Sequence, residues 1–211
     1  MRIGIINYGV GNTGSVYNAF WNIGHDPELV SRPEDIAKMD RLVLPGVGTP
    51  LPALNSLRSD GLLEAIEESV FKKGTPILGI CLGMQLMADR LTEYGEHKGL
   101  GWIPGSVEPF ETLYDGAPKA PVPHIGWAQI KPQEGRNSPL HDIGGRLYYY
   151  YAHTYVFIPK DEADIVATSD HGVNFVCALM KGPIFATQFH PEKSQAKGEK
   201  LIERFIDWEP K

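Results

Sequence analysis

The 211-residue chain is poor in cysteine and carries no long apolar stretch. Its two cysteines, Cys81 and Cys177, allow at most one bridge, which excludes a disulfide scaffold. No window approaches the ~18 apolar residues of a membrane-spanning helix. Acidic residues outnumber basic ones, 26 to 20, so neither a nucleic-acid backbone nor an anionic membrane is expected as a partner. Internal repeats, low-complexity tracts and long charge runs are also missing. The seven histidines show no His-x3-His ligand spacing, so no metal is expected. The opening apolar run is too short for a secretion signal and is broken by Asn7 and Gly9. The expectation is a cytoplasmic chain, whose reducing surroundings leave a free thiol available for chemistry.

A hydrophobic fraction of 42% and a charged fraction of 22% fit a folded chain with a real core, read here as one domain over residues 1–211. The first half alternates short apolar runs with helical spacing. Ile3–Ile6, Leu29–Val30, Leu42–Leu44 and Pro76–Cys81 read as strands; Ser15–Ile23, Pro33–Met39, Leu62–Lys72 and Leu82–Leu91 read as helices. Such alternation predicts a parallel sheet covered on both faces. The second half changes to aromatic and β-branched runs between turns: Val107–Phe110, Ala128–Ile130, Leu147–Ile158, Ile165–Ser169, Phe175–Met180 and Ile184–Phe189. These predict antiparallel strands that continue or flank the sheet. Tyr114–Pro123 is expected to be an exposed loop, and Ser194–Trp208 a closing helix capped by Ser194.

Three segments carry chemistry. Gly9-Val-Gly-Asn-Thr-Gly14 follows a strand, precedes a helix and satisfies G-x-G-x-x-G. A dinucleotide site also needs an acidic residue at the end of the second strand, but Ser31 and Arg32 stand there and Glu34 opens the next helix. A tight glycine turn is the plainer reading. Gly79-Ile-Cys81-Leu-Gly83 places a nucleophile between glycines where an apolar strand becomes a helix. Such a bend lifts the side chain off the sheet edge and aims the N–H of Leu82 at an oxyanion formed there. The helix start beneath the sulfur favours thiolate. Cys177, inside an apolar strand, reads as an inert core thiol. Finally, a strand ends at His190, and in an extended chain Glu192 shares its side, the arrangement of a base oriented by a carboxylate.

Gly-Ile-Cys81-Leu-Gly-Met-Gln85 together with Gln-Phe-His190-Pro-Glu192 resembles the class I glutamine amidotransferases. Tyr8-Gly-Val-Gly-Asn12, Leu44-Pro-Gly-Val-Gly48, Pro123-His-Ile-Gly-Trp127, His153-Thr-Tyr155 and His190-Pro-Glu-Lys193-Ser resemble the branch formed by glutaminase subunits of imidazole glycerol phosphate synthase. The likeness runs from about residue 3 to about residue 206. It implies an α/β, flavodoxin-like fold: a central, mostly parallel sheet with flanking helices and an antiparallel extension. It implies a triad of Cys81, His190 and Glu192, an oxyanion hole from the N–H groups of Val47 and Leu82, and glutamine held by Gly48, Gln85, Thr154 and Tyr155. No metal or cofactor is implied. L-glutamine would be hydrolysed to glutamate, and the ammonia channelled to a (β/α)8-barrel synthase in a heterodimer. That partner would form imidazole glycerol phosphate and an aminoimidazole carboxamide ribonucleotide in histidine biosynthesis. Asn12, Trp127, Tyr150 and Lys193 match interface or signalling positions, and the Tyr8–Asn12 turn becomes structural. The glycine-flanked stretch Pro45–Gly48 would rearrange when partner and acceptor bind.

Gly14 stands where the family usually has Arg, Thr49-Pro50 where it has a small residue and Phe, and Ala128 where it has Asn. All three fall on the expected partner face. They leave open a paralogous subunit that feeds another acceptor, such as a surface-sugar amidine. A stand-alone thiol hydrolase, a dinucleotide-binding module and an inactive structural subunit are further alternatives. The first has no use for Gln85 or the Pro-His-Ile-Gly-Trp loop, and the last is at odds with an intact triad.

Overall fold

A computed structural model describes residues 1–59 and 61–210. In its first half the chain forms β1 (Ile3–Ile6), α1 (Thr13–Asn22), β2 (Glu28–Val30), α2 (Pro33–Ile36), β3 (Arg41–Gly46), α3 (Pro50–Leu57), α4 (Leu62–Glu67), β4 (Ile77–Cys81) and α5 (Leu82–Leu86). A π turn, Glu68–Lys72, extends α4. The second half forms β5 (Arg90–Leu91), β6 (His97–Lys98), β7 (Gly105–Pro109), β8 (His124–Pro132), β9 (Tyr148–His153), β10 (Tyr155–Pro159), β11 (Ile165–Asp170), β12 (Asn174–Lys181), β13 (Ile184–Thr187) and α6 (Gln195–Asp207).

Nine strands make the main sheet, in the order β2-β1-β3-β4-β13-β12-β11-β8-β9. The first five run parallel, and the pairings from β13 onward are antiparallel. The inner parallel strands are mostly apolar and wholly buried because both faces are covered, whereas Glu28 and Leu29 of the edge strand β2 are exposed. Val16 and Phe20 of α1 and Leu201 and Phe205 of α6 pack on one face. Leu54 and Leu57 of α3, Ile66 of α4 and Met84 of α5 pack on the other. This is the expected parallel sheet with an antiparallel extension. Among the described residues no helix is long and apolar enough to cross a membrane.

The differences from the sequence reading have physical causes. Pro50–Leu57 is an unexpected helix; its proline sits at the start, where a missing N–H leaves no bond unmade. Leu82–Leu91 is helical only through Leu86. The carbonyls of Leu86, Met87 and Ala88 instead accept the N–H groups of Leu100, Trp102 and Gly101, so tertiary bonds replace the helical ladder. The second helix stops at Ile36 rather than Met39. The run Leu147–Ile158 is two strands, split at Thr154: β9 closes the large sheet and β10 joins a second sheet, ordered β10-β7-β5-β6. Two-residue strands such as β5 and β6 are too short to leave a periodic signal.

Close backbone contact holds β3, β4 and α5 together. A Cβ at Gly83 would lie 2.0 Å from the Leu44 carbonyl oxygen, which is backbone and cannot rotate away. Gly83→Ala is therefore expected to destabilise the fold by ~1–3 kcal/mol, read from the urea midpoint at unchanged slope.

Candidate active site

The site grows from the end of β4. Cys81 has φ 54° and ψ −109°, a conformation that a side-chain-bearing residue holds only under strain. Its neighbours make room for it. Gly46 is paired in register with Cys81, and a Cβ there would meet the Gly83 nitrogen at 2.7 Å. Val47, one residue beyond Gly46, thus arrives beside Leu82 at the head of α5. The thiol sits at the sheet edge, 7% exposed, with Sγ 4.0 Å from the Ala152 carbonyl oxygen.

His190 lies just beyond β13, the strand paired with β4 in the middle of the main sheet. Its N–H donates to the Tyr150 carbonyl at 2.9 Å, and its own carbonyl accepts from Ser194 Oγ at 2.6 Å. Ser194 does not cap α6 with its side chain, contrary to expectation; its oxygen instead accepts the N–H of Tyr150 at 3.0 Å. Glu192 lies in a 3-10 turn, Pro191–Lys193, not in an extended segment. The turn still brings Glu192 Oε1 to 2.7 Å from His190 Nδ1, with both side chains almost wholly buried. Burial alone would lower the imidazole's pKa. Hydrogen bonds to Cys81 and Glu192 outweigh it and raise the value to about 9.

Cys81 and His190 open into one cavity of about 250 Å³, below the size of drug-binding pockets and suited to a small metabolite. Val47, Gly48, Leu82, Thr154 and Tyr155 line it. Gln85 lines it too, though its amide nitrogen already donates to the Tyr155 carbonyl and to Gln188 Oε1. Lys193 stands at the same cavity with Nζ 5.9 Å above the Tyr150 ring, and Tyr150 meets Trp127 edge to face at 6.2 Å. Asn12 lies apart from the cavity, and its Oδ1 accepts the Ser15 N–H at the start of α1.

Several site residues escaped the sequence reading. Glu93 lines the cavity, and burial raises its carboxyl pKa. Gln188 is fully buried with Nε2 3.7 Å from the sulfur. His153 also lines the cavity, and its Nε2 lies 2.9 Å from Nδ1 of His124. Burial lowers His153 to about 3 and His124 to about 4, so both stay neutral. A buried amide has no spacing signature, and His124 and His153 come together only because β8 and β9 pair them.

The Gly9–Gly14 turn does structural work. It places the Tyr8 hydroxyl 2.7 Å from the Pro45 carbonyl oxygen, and Gly11 packs against the same carbonyl. Arg32, which stands where a dinucleotide site would need an acidic residue, is ion-paired with Asp35 and Glu34.

The pattern of the family described as "Glutamine amidotransferase class-I" matches residues 4–208. The chain belongs to the class I glutamine amidotransferases. This amidotransferase is 41% identical to the imidazole glycerol phosphate synthase subunit HisH of Zymomonas mobilis, over 99% of this chain and 96% of that one. It is 42% identical to the subunit HisH 1 of Campylobacter jejuni, over 97% and 98%. Its fold is shared with the PurLQS structure from Thermotoga maritima at a TM-score of 0.73 and 16% identity, covering 98% of this chain and 97% of that one.

The buried histidines give stability two opposing pH slopes. His124 and His153 have folded values below the ordinary 6.5, so their contribution is present above pH 6.5 and is lost as pH falls toward 4. His190 has a raised value, so its contribution is full below pH 6.5 and is lost as pH rises through about 9. Urea unfolding across pH 4.5–9.5 is expected to peak near pH 6.5. His124→Phe should flatten the acid limb by up to about 1.4 kcal/mol per pH unit, one proton's worth.

Proposed function

We propose that the chain is a single glutaminase domain that acts as one subunit of a cytoplasmic imidazole glycerol phosphate synthase. It hydrolyses L-glutamine and delivers the ammonia to a (β/α)8-barrel partner, which closes the imidazole ring in histidine biosynthesis. One observation carries this reading: in a member of the amidotransferase family, a buried imidazole is clamped between a strained cysteine and a buried carboxylate at the wall of a small cavity. The acceptor is supported by relatives named as imidazole glycerol phosphate synthase subunits at 41–42% identity over nearly the whole chain.

The Cys81 thiolate attacks the side-chain amide carbon of glutamine. The N–H groups of Leu82 and Val47 hold the oxyanion, and losing one such donor typically costs ~10²–10³ in rate. With its pKa near 9, His190 keeps the thiol's proton at neutral pH and hands it to the departing nitrogen as ammonia leaves. The resulting thioester is attacked by water, whose proton His190 takes, and glutamate leaves as Cys81 returns to thiolate. Glu192 fixes the imidazole tautomer and balances its charge. Gly48, Gln85, Thr154 and Tyr155 border the substrate, and the Glu93 carboxylate suits its ammonium group.

The partner docks on the face where β8 and β9 are paired. Ile125, Trp127 and Tyr148 are exposed there on one side of the sheet, next to Tyr150 and Lys193, with Asn12 completing the interface. The departures at Gly14, Thr49-Pro50 and Ala128 leave the cavity intact. Thr49 and Pro50 open α3, and a Cβ at Gly14 would touch nothing within 4 Å.

Cys81→Ala is expected to abolish glutamine-dependent synthesis by the complex while ammonia-dependent synthesis persists; loss of both would make Cys81 structural. For the intact complex, kcat/KM for glutamine is expected to decline above about pH 9, as His190 deprotonates. Glu192→Gln removes one of the two partners that hold the proton there, so its alkaline limb moves to lower pH.

A further inference from the structure

Gln188 has no role in the chemistry described so far, yet it touches the reacting atom. It is fully buried just beyond β13, and its backbone N–H is anchored on the Cys177 carbonyl at 2.9 Å. Its side-chain orientation follows from the partners around it. The Tyr155 carbonyl can only accept, so Gln85 must present its amide nitrogen there, at 3.2 Å. That same nitrogen reaches Gln188 Oε1 at 3.0 Å, which fixes the Gln188 oxygen toward Gln85. The Gln188 nitrogen is left facing Cys81 Sγ at 3.7 Å, within hydrogen-bonding reach of sulfur. The chain of constraint continues outward. His153 Nδ1–H donates to the same Tyr155 carbonyl at 2.9 Å, so its Nε2 accepts from His124 Nδ1–H. Neutral histidines, each with one donor and one acceptor, suit this arrangement.

We propose that Gln188 is a further catalytic residue, whose amide N–H steadies the Cys81 sulfur as thiolate, and that Gln85 is the positioning residue that keeps this N–H turned toward it. The proposal rests on Cys81 being the nucleophile. A hydrogen bond to an ionised acceptor is stronger than one to a neutral acceptor, so the donor favours the charged sulfur. Both Gln85 amide hydrogens are committed, to Tyr155 and to Gln188, which leaves only its oxygen for a ligand.

The test is the pH dependence of Cys81 alkylation by iodoacetamide in the full-length chain, with the modified residue located by mass spectrometry. It reads the sulfur without requiring glutamine turnover, so it can fail independently of the glutaminase assignment. Gln188→Met keeps the length and removes the donor. The pH of half-maximal alkylation is expected to rise by about one unit, and kcat for glutamine in the complex to fall about tenfold, with KM changed less. Gln85→Glu cannot donate to Tyr155 and releases Gln188 from its fixed orientation. It is expected to move the alkylation profile in the same direction, and it serves if Gln188→Met does not fold. A folded Gln188→Met chain with an unmoved alkylation profile overturns the proposal. So does an unmoved profile in Gln85→Glu when Gln188→Met cannot be read.

Discussion

Three stretches of backbone meet around Cys81 at separations that only glycine permits. Gly46 ends β3 and Gly83 lies in the first turn of α5, each packed where a Cβ would come within 3 Å of backbone, while at Gly79 in β4 the nearest atom is the tip of the Met87 side chain. That contact holds the cysteine at φ 54° and lifts its sulfur off the sheet edge. It also sets Val47 next to Leu82, since the strand carrying one lies directly over the helix carrying the other. Loosening this knot would separate Cys81 from the backbone of Val47 and Leu82. The strain at Cys81, of order 1–3 kcal/mol, persists because sheet and helix on both sides determine the bend.

Burial acts on the site's histidines in opposite senses. His190 is flanked by a carboxylate and a thiol, and their attraction for its proton exceeds the cost of desolvation. His124 and His153 have only each other, the Tyr155 carbonyl and aromatic rings; His124 stacks on His171 and Tyr151 at 4.0 and 4.7 Å. Desolvation, reinforced by repulsion from neighbouring imidazoles, keeps them uncharged. A single fold thus keeps one imidazole with a raised pKa and two neutral ones hydrogen-bonded to each other.

Much of this was legible in the sequence because the signals were local. Unbroken apolar runs marked the parallel strands, and glycines around Cys81 marked the bend. The His-Pro-Glu segment marked the base and its carboxylate, although a 3-10 turn rather than an extended strand brings them together. What stayed hidden depended on contacts between distant segments. The early end of α5 follows from carbonyls diverted to Gly99–Ile103, and the break at Thr154 from a change of sheet. Ser194 looked like a helix cap, but Tyr150 and His190 claim its hydroxyl first. Gln188 was in plain view within the motif, yet only its three-dimensional neighbours reveal which way its amide points.

At its β9 margin the nine-stranded sheet is tied back by an isolated bridge. Its last strand, β9, curls back so that Tyr150 bridges to His190, just beyond β13 in the middle of the same sheet, and Ser194 takes the next free N–H. Unpaired strand margins recruit other chains, and this seam occupies part of the β9 margin. It also anchors the imidazole. Losing that pairing would therefore free a stretch of β9 and the backbone of His190 together.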